Sequence, residues 1–407
     1  MVPSAGPRGL SCAIDKGGRQ ERMPGPAGRI TPPEASGPTP PADAILCRTS
    51  PQRRLGRLRV PATPITIERR ELRPHLAVKS PDFAHPSVLV TEPWEFVALY
   101  LRRKGESEAL FYWEQAQALY SATVPLPPTA SPITAYYCCL NATKALLKAH
   151  HASVEEQHGL SGKFAGGKAV LKNEHIKVLG KGVFPSLAKF LGEADSRNEY
   201  TLYELAQSTV FIHRAFCLTF RTSPELYIPI DNLHFVRKPA SDESWFRAEV
   251  PPKYQHSQTL GTLPAQFEID HGIEGGGTIR MKRRFRWRRG SQEASLGNLK
   301  DYHMNLRKHI RPIIGTPTRW YIRRDIASIP ALAYSELPVT FAMLHRLSEL
   351  ARYTPLLLNK HLAGQHGWLL AEFLKMAPAQ YVFQVASEIT GLYFHRPWAS
   401  GLSTPAR

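Results

Sequence analysis

Cysteine is scarce in this sequence, and long apolar runs are missing from it. The five cysteines among 407 residues show no CxxC spacing and the histidines no HxxxH spacing, which argues against a disulfide framework and a zinc motif. No apolar run approaches the roughly 20 residues of a membrane span, and the opening residues MVPSAGPRGLSCAIDKGG contain no signal-peptide core. We therefore predict a reduced, cytoplasmic protein with no metal, no cofactor and no membrane partner.

Acidic residues are also in short supply, because 34 of them face 52 Lys and Arg, for a net charge of +18. A balance this basic favours acidic partners, nucleic acid above all. Residues 1–79 contribute 14 basic and 6 acidic residues and 13 of the 35 prolines, without sustained periodicity. We predict a disordered Pro/Arg-rich tail over residues 1–80, which either binds phosphate groups or is an upstream segment without a role.

Hydrophobic periodicity divides the rest of the chain into three segments. Helical spacing predicts helices over residues 85–222, alternation predicts strands over residues 225–327, and helical spacing returns over residues 335–395. The fold class that follows is α+β. The two helical segments form one bundle, and an antiparallel, basic β-rich unit is inserted between them.

The clearest helix is SPITAYYCCLNATKALLKAHH, which begins at Ser131. Ser131 suits the N-cap, and the following proline suits the first turn. At 3.6 residues per turn the helix has an apolar stripe and a polar stripe. The apolar stripe contains Tyr136, Leu140, Thr143 and Leu147. The polar stripe contains Tyr137, Asn141, Lys144, Lys148 and His151.

The most basic stretch is TIRMKRRFRWRR, residues 278–289, in which seven of twelve residues are Lys or Arg and none is acidic. Strand alternation turns the apolar residues of this stretch to one face and most of the basic ones to the other. A hairpin with the preceding QFEIDHGI must match apolar face to apolar face. A loop over residues 274–278 does so. It sets Phe267 opposite Phe285, Asp270 opposite Lys282, and Glu268 opposite Arg284.

This register leaves four arginines without an acidic neighbour, namely Arg280, Arg286, Arg288 and Arg289. Free arginines beside Trp287 predict a nucleic-acid surface, because guanidinium groups bind phosphates in a fork and an indole stacks on bases. The alternative is a solvated edge strand whose charges prevent sheet-to-sheet aggregation.

Four motifs of the helical segments occur in a recognisable order: FYWEQAQALYSAT, SPITAYYCCLNATKALL, EQHGLSG and LSELARYTP. In these motifs residues 85–395 resemble the bacterial YaaC-like protein family. That family is uncharacterised, so the resemblance implies an architecture rather than an activity. The candidate site residues that it implies are Tyr137, Asn141, Lys144, His158, Gly159, Arg352 and Tyr353. They form either a polar pocket for an anion between two packed helices or a set of hydrogen bonds that only joins these helices.

The AYYCCLNATKALL helix also resembles, more weakly, the YYxxxxAxKAL helix of HEPN domains, some of which cut RNA with an Arg-x4–6-His motif. No Arg–His pair here has a good match to that spacing, since eight residues separate Arg352 from His361. The resemblance still implies a helical bundle. A divergent ribonuclease that uses Lys144, His150 or His151, and Arg352 stays an alternative.

No nucleophile–base motif or phosphate-binding glycine loop is recognisable elsewhere. The leading prediction is a non-catalytic protein that binds nucleic acid through its basic hairpin. The predicted contacts are Arg280, Arg286, Arg288, Arg289 and Trp287. Besides the ribonuclease, the remaining alternative is a helical interaction module that associates with itself and has no nucleic-acid role.

Overall fold

The structure is a computed structural model that describes residues 62–270, 276–288 and 290–397. Arg289, residues 274 and 275 of the predicted hairpin loop, and most of the predicted tail lie outside the described residues. The described chain combines α-helices with antiparallel sheets, which confirms the predicted α+β class. Within these residues no helix is both long enough and apolar enough to cross a membrane.

The helices and strands alternate along the chain in unequal blocks. The helices are α1 Trp94–Lys104, α2 Ser107–Thr123, α3 Ser131–Ala149, α4 Val183–Leu191, α5 Leu202–Ser208, α6 His213–Thr219, α7 Ser257–Leu260, α8 Gln292–Leu306, α9 Glu336–Tyr353, α10 Pro355–Ala363 and α11 Gly367–Thr390. The strands are β1 Thr63–Pro64, β2 Thr66–Ile67, β3 Arg70–Glu71, β4 Val88–Leu89, β5 Leu160–Phe164, β6 Glu174–Val178, β7 Glu199–Thr201, β8 Tyr227–Arg237, β9 Glu243–Glu249, β10 Phe267–Ile269, β11 Thr278–Met281, β12 Phe285–Arg286, β13 Ile310–Ile313, β14 Arg319–Arg323 and β15 Phe394–His395.

Helix α3 is the centre of the helical bundle. Its predicted apolar stripe is buried and packs against α2, α9 and α11, while its polar stripe stays partly or fully exposed. The hydroxyl of Thr143 lies 2.6 Å from that of Tyr381 on α11, so a polar atom within the stripe finds a partner inside the core. The helices on either side of the β-rich unit therefore share one core.

The β-rich unit contains an eight-stranded sheet. Its order is β10-β11-β9-β8-β14-β13, with β1 added to β8 and β12 added to β9. Helix α8, which the sequence analysis did not predict, packs against the apolar face. Its Tyr302 hydroxyl accepts a hydrogen bond of 2.9 Å from the Phe246 amide, and its ring centroid lies 4.7 Å from that of Phe285.

The register of the basic hairpin differs from the predicted one. Strand β10 pairs with β11 so that Phe267 lies opposite Met281 and Glu268 opposite Arg280. The prediction that set Phe267 opposite Phe285 is therefore wrong, because Phe285 lies on β12, opposite Ser244 of β9. A displacement by an even number of residues keeps every apolar side chain on the same face, so alternation could not exclude it.

Residues 62–80 are folded, so the predicted tail of residues 1–80 extends too far into the chain. Strand β1 pairs with β8, and β2 pairs with β3 in a two-residue hairpin. Ile65, Ile67 and Leu72 are buried in the main core. The segment is also held at its end, where the carboxylate of Glu388 on α11 accepts the backbone N–H groups of residues 78 and 79 at 2.7 and 3.1 Å.

A small antiparallel sheet of β5, β6 and β7 follows α3, within residues 85–222, which were predicted to be helical. Leu160 and Ile176 bury their side chains in the main core. The sheet thereby places two polar side chains against the bundle. They are His158, in the loop before β5, and Glu174, the first residue of β6.

Candidate functional site

Four basic side chains of the hairpin region are exposed and have no ion pair or hydrogen bond to another described residue. They are Lys282, Arg283, Arg286 and Arg288, named here the free basic cluster. Because side chains alternate along β12 and its continuation, Arg286 and Arg288 point away from the core, while Phe285 and Trp287 are buried. Two of the predicted nucleic-acid contacts, Arg286 and Arg288, are therefore available to a partner.

Arg280 was predicted to be free, but it is neutralised by acids. Its Nε donates to Glu268 at 2.8 Å and its Nη1 to Asp270 at 3.2 Å. Slight burial raises the pKa of Glu268, but the hydrogen bond from Arg280 and the charges of Arg280 and Arg284 outweigh this and lower it. Arg280 is thus removed from the predicted contacts, because the observed register places it among acidic neighbours.

Arg284 is held in a similar way, and it covers an aromatic ring. Its Nε donates to Glu243 at 3.2 Å, and its guanidinium carbon lies 4.8 Å from the ring centroid of Trp245. Arg280 lies over the same ring at 5.9 Å. The aromatic side chain on the basic face is therefore Trp245, and two arginines cover it.

Trp287 does not offer a stacking surface. Its side chain is only 8% exposed and belongs to the main core, together with Phe285. The prediction that Trp287 stacks on a base is therefore corrected, because strand alternation turns this indole inward. Arg289 lies outside the described residues.

The predicted polar pocket is partly assembled between α3 and α9. Arg352 donates from Nη1 to the Tyr137 hydroxyl at 3.0 Å and from Nε to the Ser348 carbonyl at 3.3 Å. Its guanidinium lies 5.6 Å from the ring centroid of Tyr137 and 5.2 Å from that of Tyr353. No acidic group pairs with Arg352 among the described residues, so its charge is available to an anion.

His158 lies at the edge of this pocket. Its Nδ1 is 2.7 Å from the buried Tyr136 hydroxyl, and its ring centroid is 6.3 Å from that of Tyr137. Burial lowers the pKa of His158, and the positive charges of Arg352 and Lys144 lower it further. The imidazole is therefore neutral at pH 7 and lies within the field of both cations.

Asn141 and Lys144 are engaged in other contacts. The Asn141 amide donates to the Tyr137 carbonyl on its own helix at 2.9 Å. The Lys144 ammonium lies 5.2 Å from the ring centroid of Tyr112 on α2. Of the predicted pocket residues, the structure thus brings Tyr137, His158, Arg352 and Tyr353 closest together.

Gly159 fixes the position of His158. Its φ is +80°, and a Cβ atom there would lie 2.4 Å from the Pro185 Cδ. Because Gly159 has no side chain, its loop lies close to the start of α4. The carbonyls of residues 157 and 158 there accept hydrogen bonds from the first N–H groups of α4, at 2.8 and 3.1 Å. The helix end is thereby satisfied by backbone atoms of the loop that carries His158.

Gly159→Ala is expected to lower the free energy of unfolding by roughly 2–4 kcal/mol, because the methyl group adds a left-handed backbone penalty and a clash. Urea unfolding followed by circular dichroism measures this loss. Gly180→Ala is the matched control, since its φ is not positive and no atom lies within 4 Å of the place that the new methyl group would occupy. Equal stability of the two variants would contradict the role given to Gly159.

A buried ionic cluster lies beside this pocket along α9, and no sequence pattern predicted it. Glu174 is fully buried and accepts hydrogen bonds from Arg346 Nε and Nη2 at 2.9 and 2.6 Å. Its other oxygen lies 2.7 Å from His361 Nε2, and His361 Nδ1 lies 2.9 Å from His366 Nε2. Arg346 also donates to Glu349 at 3.0 Å. We name Glu174, Arg346, Glu349, His361 and His366 the Glu174 cluster.

Three histidines near this cluster are buried. His345, His361 and His366 are at most 4% exposed. Burial lowers the pKa of His366 to about 4, and that of His345 to about 3 with help from nearby cations. These two imidazoles are neutral at pH 7 and belong to the core.

The residues of the ribonuclease alternative are held apart by other contacts. His150 Nε2 lies 2.9 Å from the Glu388 carbonyl, and His151 Nε2 lies 3.3 Å from Glu106. Neither imidazole contacts Lys144 or Arg352 among the described residues. No group of three or more His, Cys, Asp or Glu in the described ranges is arranged to hold a metal ion.

The fold and its polar features define an α+β protein with a helical bundle and a basic antiparallel sheet. A sequence model of the YaaC-like protein family matches residues 87–389, so the chain belongs to the YaaC-like protein family. No curated protein and no solved structure matched the chain.

Proposed function

We propose that this member of the YaaC-like family is a non-catalytic nucleic-acid-binding protein that contacts the phosphate backbone. The observation that carries the proposal is the free basic cluster, four exposed cations within seven residues that lack an acidic partner among the described residues. Cations that already pair with acidic residues of the same chain contribute little to the binding of a partner. Unpaired ones attract phosphates and release counterions.

The acidic residue opposite Arg286 does not cancel the charge of the cluster. Arg286 lies opposite Glu243 in the register of β12 and β9. The Glu243 carboxylate, however, already lies 3.2 Å from Arg284 and 3.8 Å from Lys238. Three of the four cluster residues are arginines, whose planar guanidinium groups bind phosphate oxygens through two parallel hydrogen bonds.

The same geometry indicates how the surface reads its partner. Arg280 is engaged by acids and Trp287 is buried, so this strand supplies charge rather than an aromatic platform. Backbone contacts position a nucleic acid but carry no sequence information. We therefore expect binding that depends strongly on salt and weakly on sequence.

The test is fluorescence anisotropy of the full chain with labelled single- and double-stranded DNA and RNA across a salt series. Changing all four residues of the free basic cluster to Ser is expected to reduce the slope of log K against log salt by about three to four units, near 0.9 per lost phosphate contact. Affinity at low salt is expected to fall by at least about tenfold.

A matched control removes the same charge elsewhere. Lys163, Lys168, Lys177 and Lys181 are exposed on or near the small sheet, and none of them has an ion pair within the part of the chain that the structure describes. Changing them to Ser therefore lowers the net charge equally. The control variant is expected to keep most of the slope. If both variants lose the same slope, only net charge matters and no surface is defined. If wild type does not bind, the proposal is wrong and self-association should be measured.

The ribonuclease alternative is examined with the same samples. If it holds, RNA incubated with wild type would be cleaved, and Lys144→Ala or Arg352→Ala would remove the cleavage. In the described ranges neither His150 nor His151 contacts Lys144 or Arg352, so we propose binding without cleavage.

A further inference from the structure

A cleft of about 1070 Å³ lies beside the folded segment 62–90. One wall is the β2–β3 hairpin with the residues that follow it, and another is the start of β14. Residues 230–233 of β8 and the C-terminal residues 393 and 395 complete it. A volume of this size suits a nucleotide-sized ligand.

The polar lining of the cleft carries an excess of positive charge. Arg69 and Arg319 line it, and their exposed side chains have no ion pair or hydrogen bond to another described residue. Arg70 donates to the carbonyls of Phe83 and Ala84 at 3.0 and 2.8 Å and has no acidic partner within the described ranges. These three guanidinium groups give the cleft unneutralised cations that favour an anionic ligand.

Two of the three acidic residues that line the cleft are paired with basic residues. Glu71 pairs with Arg73 at 3.2 Å, and Asp82 pairs with His85. Asp231 lines the cleft without such a partner in the part of the chain that the structure describes. A free carboxylate accepts hydrogen bonds from hydroxyl groups, and the hydroxyls of a sugar ring are suitable donors.

Arg69 adopts a backbone conformation that a glycine would adopt more easily. Glu68 and Arg69 are the two central residues of the β2–β3 turn, with φ of 49° and 67°. Such a turn favours Asn followed by Gly, because both residues need a positive φ. A long side chain therefore occupies a position where it costs stability, and that side chain lines the cleft. Strain of this kind is typical of functional positions.

Part of the remaining lining is apolar and aromatic. Phe83, Trp320 and Ile230 contribute to the walls, and the rings of Tyr393 and His395 lie together with centroids 4.5 Å apart. The cleft thus combines cations for a phosphate, a carboxylate for hydroxyl groups, and apolar walls for a planar ring.

We propose that this cleft binds a small organic phosphate of the nucleoside monophosphate type, whose phosphate group is held by Arg69 and Arg319. The site uses no residue of the free basic cluster. It is therefore independent of the proposed nucleic-acid surface, and either proposal can fail without the other.

Isothermal titration calorimetry of the full chain with AMP, GMP, CMP and UMP, and with ribose 5-phosphate and inorganic phosphate, tests the proposal. At least one nucleotide is expected to bind at one site per chain with a Kd below about 1 mM. It should bind more tightly than ribose 5-phosphate, which lacks the planar ring. Arg69→Gly and Arg319→Gln are each expected to weaken binding by roughly ten- to a hundredfold, the loss of one charge-assisted hydrogen bond.

The Arg69→Gly variant separates function from structure. Glycine relieves the positive φ, so its melting temperature should equal or exceed that of wild type while its nucleotide affinity falls. Glu68→Gly gives the same relief at a residue outside the lining and should leave affinity unchanged. The variant that lacks the free basic cluster should bind the nucleotide like wild type.

Absence of binding by all four nucleotides at millimolar concentration would overturn the proposal. Undiminished affinity of Arg69→Gly and Arg319→Gln would overturn it as well, because the ligand would then occupy another place.

Discussion

Relative to a chain that begins at residue 62, a chain that begins at residue 81 is expected to lose its cooperative unfolding transition. Residues 62–80 bury five large aliphatic side chains, Ile65, Ile67, Leu72, Leu76 and Val78, each at most 7% exposed. Burying each contributes roughly 1.5–3 kcal/mol, so their sum of roughly 8–15 kcal/mol, an upper estimate, is similar to the whole stability of a typical domain.

The truncation also leaves a buried acid without its partners. The pKa of Glu388 is raised to about 7, because burial outweighs the backbone N–H groups of Val78 and Lys79, whose hydrogen bonds lower it. Without these donors the carboxylate must protonate or draw in water. Loss of the segment therefore also destabilises α11, which is more than 280 residues away in the sequence.

Thermal and urea unfolding of the two truncated chains, followed by circular dichroism, measures the difference. A point variant in the full chain keeps the prediction testable if the shorter chain is insoluble. Leu76→Ala should cost about 2–5 kcal/mol, and Thr66→Ala, which changes an exposed side chain on β2, should cost less than about 0.5 kcal/mol. Melting temperatures within a few degrees of each other for the two truncated chains would show that residues 62–80 are dispensable.

The second large effect is expected from Glu174→Gln, which removes one negative charge from the Glu174 cluster without changing its shape. Arg346 is 8% exposed and Glu174 fully buried, so the substitution leaves a buried guanidinium whose one acidic partner among the described residues is Glu349. The new amide group must also point its N–H bonds at Arg346 or His361. Breaking a buried pair on one side typically costs about 3–5 kcal/mol.

A double-mutant cycle separates this mechanism from a general packing defect. Because the penalty comes from an unpaired buried charge, Glu174→Gln combined with Arg346→Met is expected to be more stable than Glu174→Gln alone. Glu199→Gln is the matched control. It lies on the same small sheet, pairs with His175 at 2.8 Å and is half exposed, so its cost should be below about 1 kcal/mol. A Glu174→Gln cost in that same range would contradict the argument.

The coarse division into helical and β-rich segments could be predicted because it depends on local periodicity, although helix α8 and the sheet of β5, β6 and β7 were not predicted. Helix α3 shows this, since its apolar and polar stripes in the sequence are its buried and exposed faces. The hairpin register could not be predicted in the same way. Alternation determines which face a residue occupies, but registers that differ by an even number of residues give identical faces. The observed one is set by β9, which pairs with both β11 and β12.

The candidate site was predictable only in part. Free arginines could be anticipated at positions 286 and 288, but Arg280 acquired acidic partners through the register. The Glu174 cluster had no local signal, because Glu174 meets Arg346 and His361 across 172 and 187 residues of sequence. Segment 62–80 is rich in proline and charge, and its short strands are stabilised by contacts with distant elements rather than by their own propensity.

The anchorage of segment 62–90 to the end of the chain has a consequence for biosynthesis. Val78 hydrogen-bonds Glu388 across 310 residues, and β4 pairs in parallel with β15. A ribosome adds about 5–20 residues per second, so roughly 15–60 s separate the synthesis of these partners. Throughout that interval segment 62–90 has been synthesised, but α11 and β15, with which it pairs, have not. The first described residues to be translated are therefore among the last to complete their native contacts.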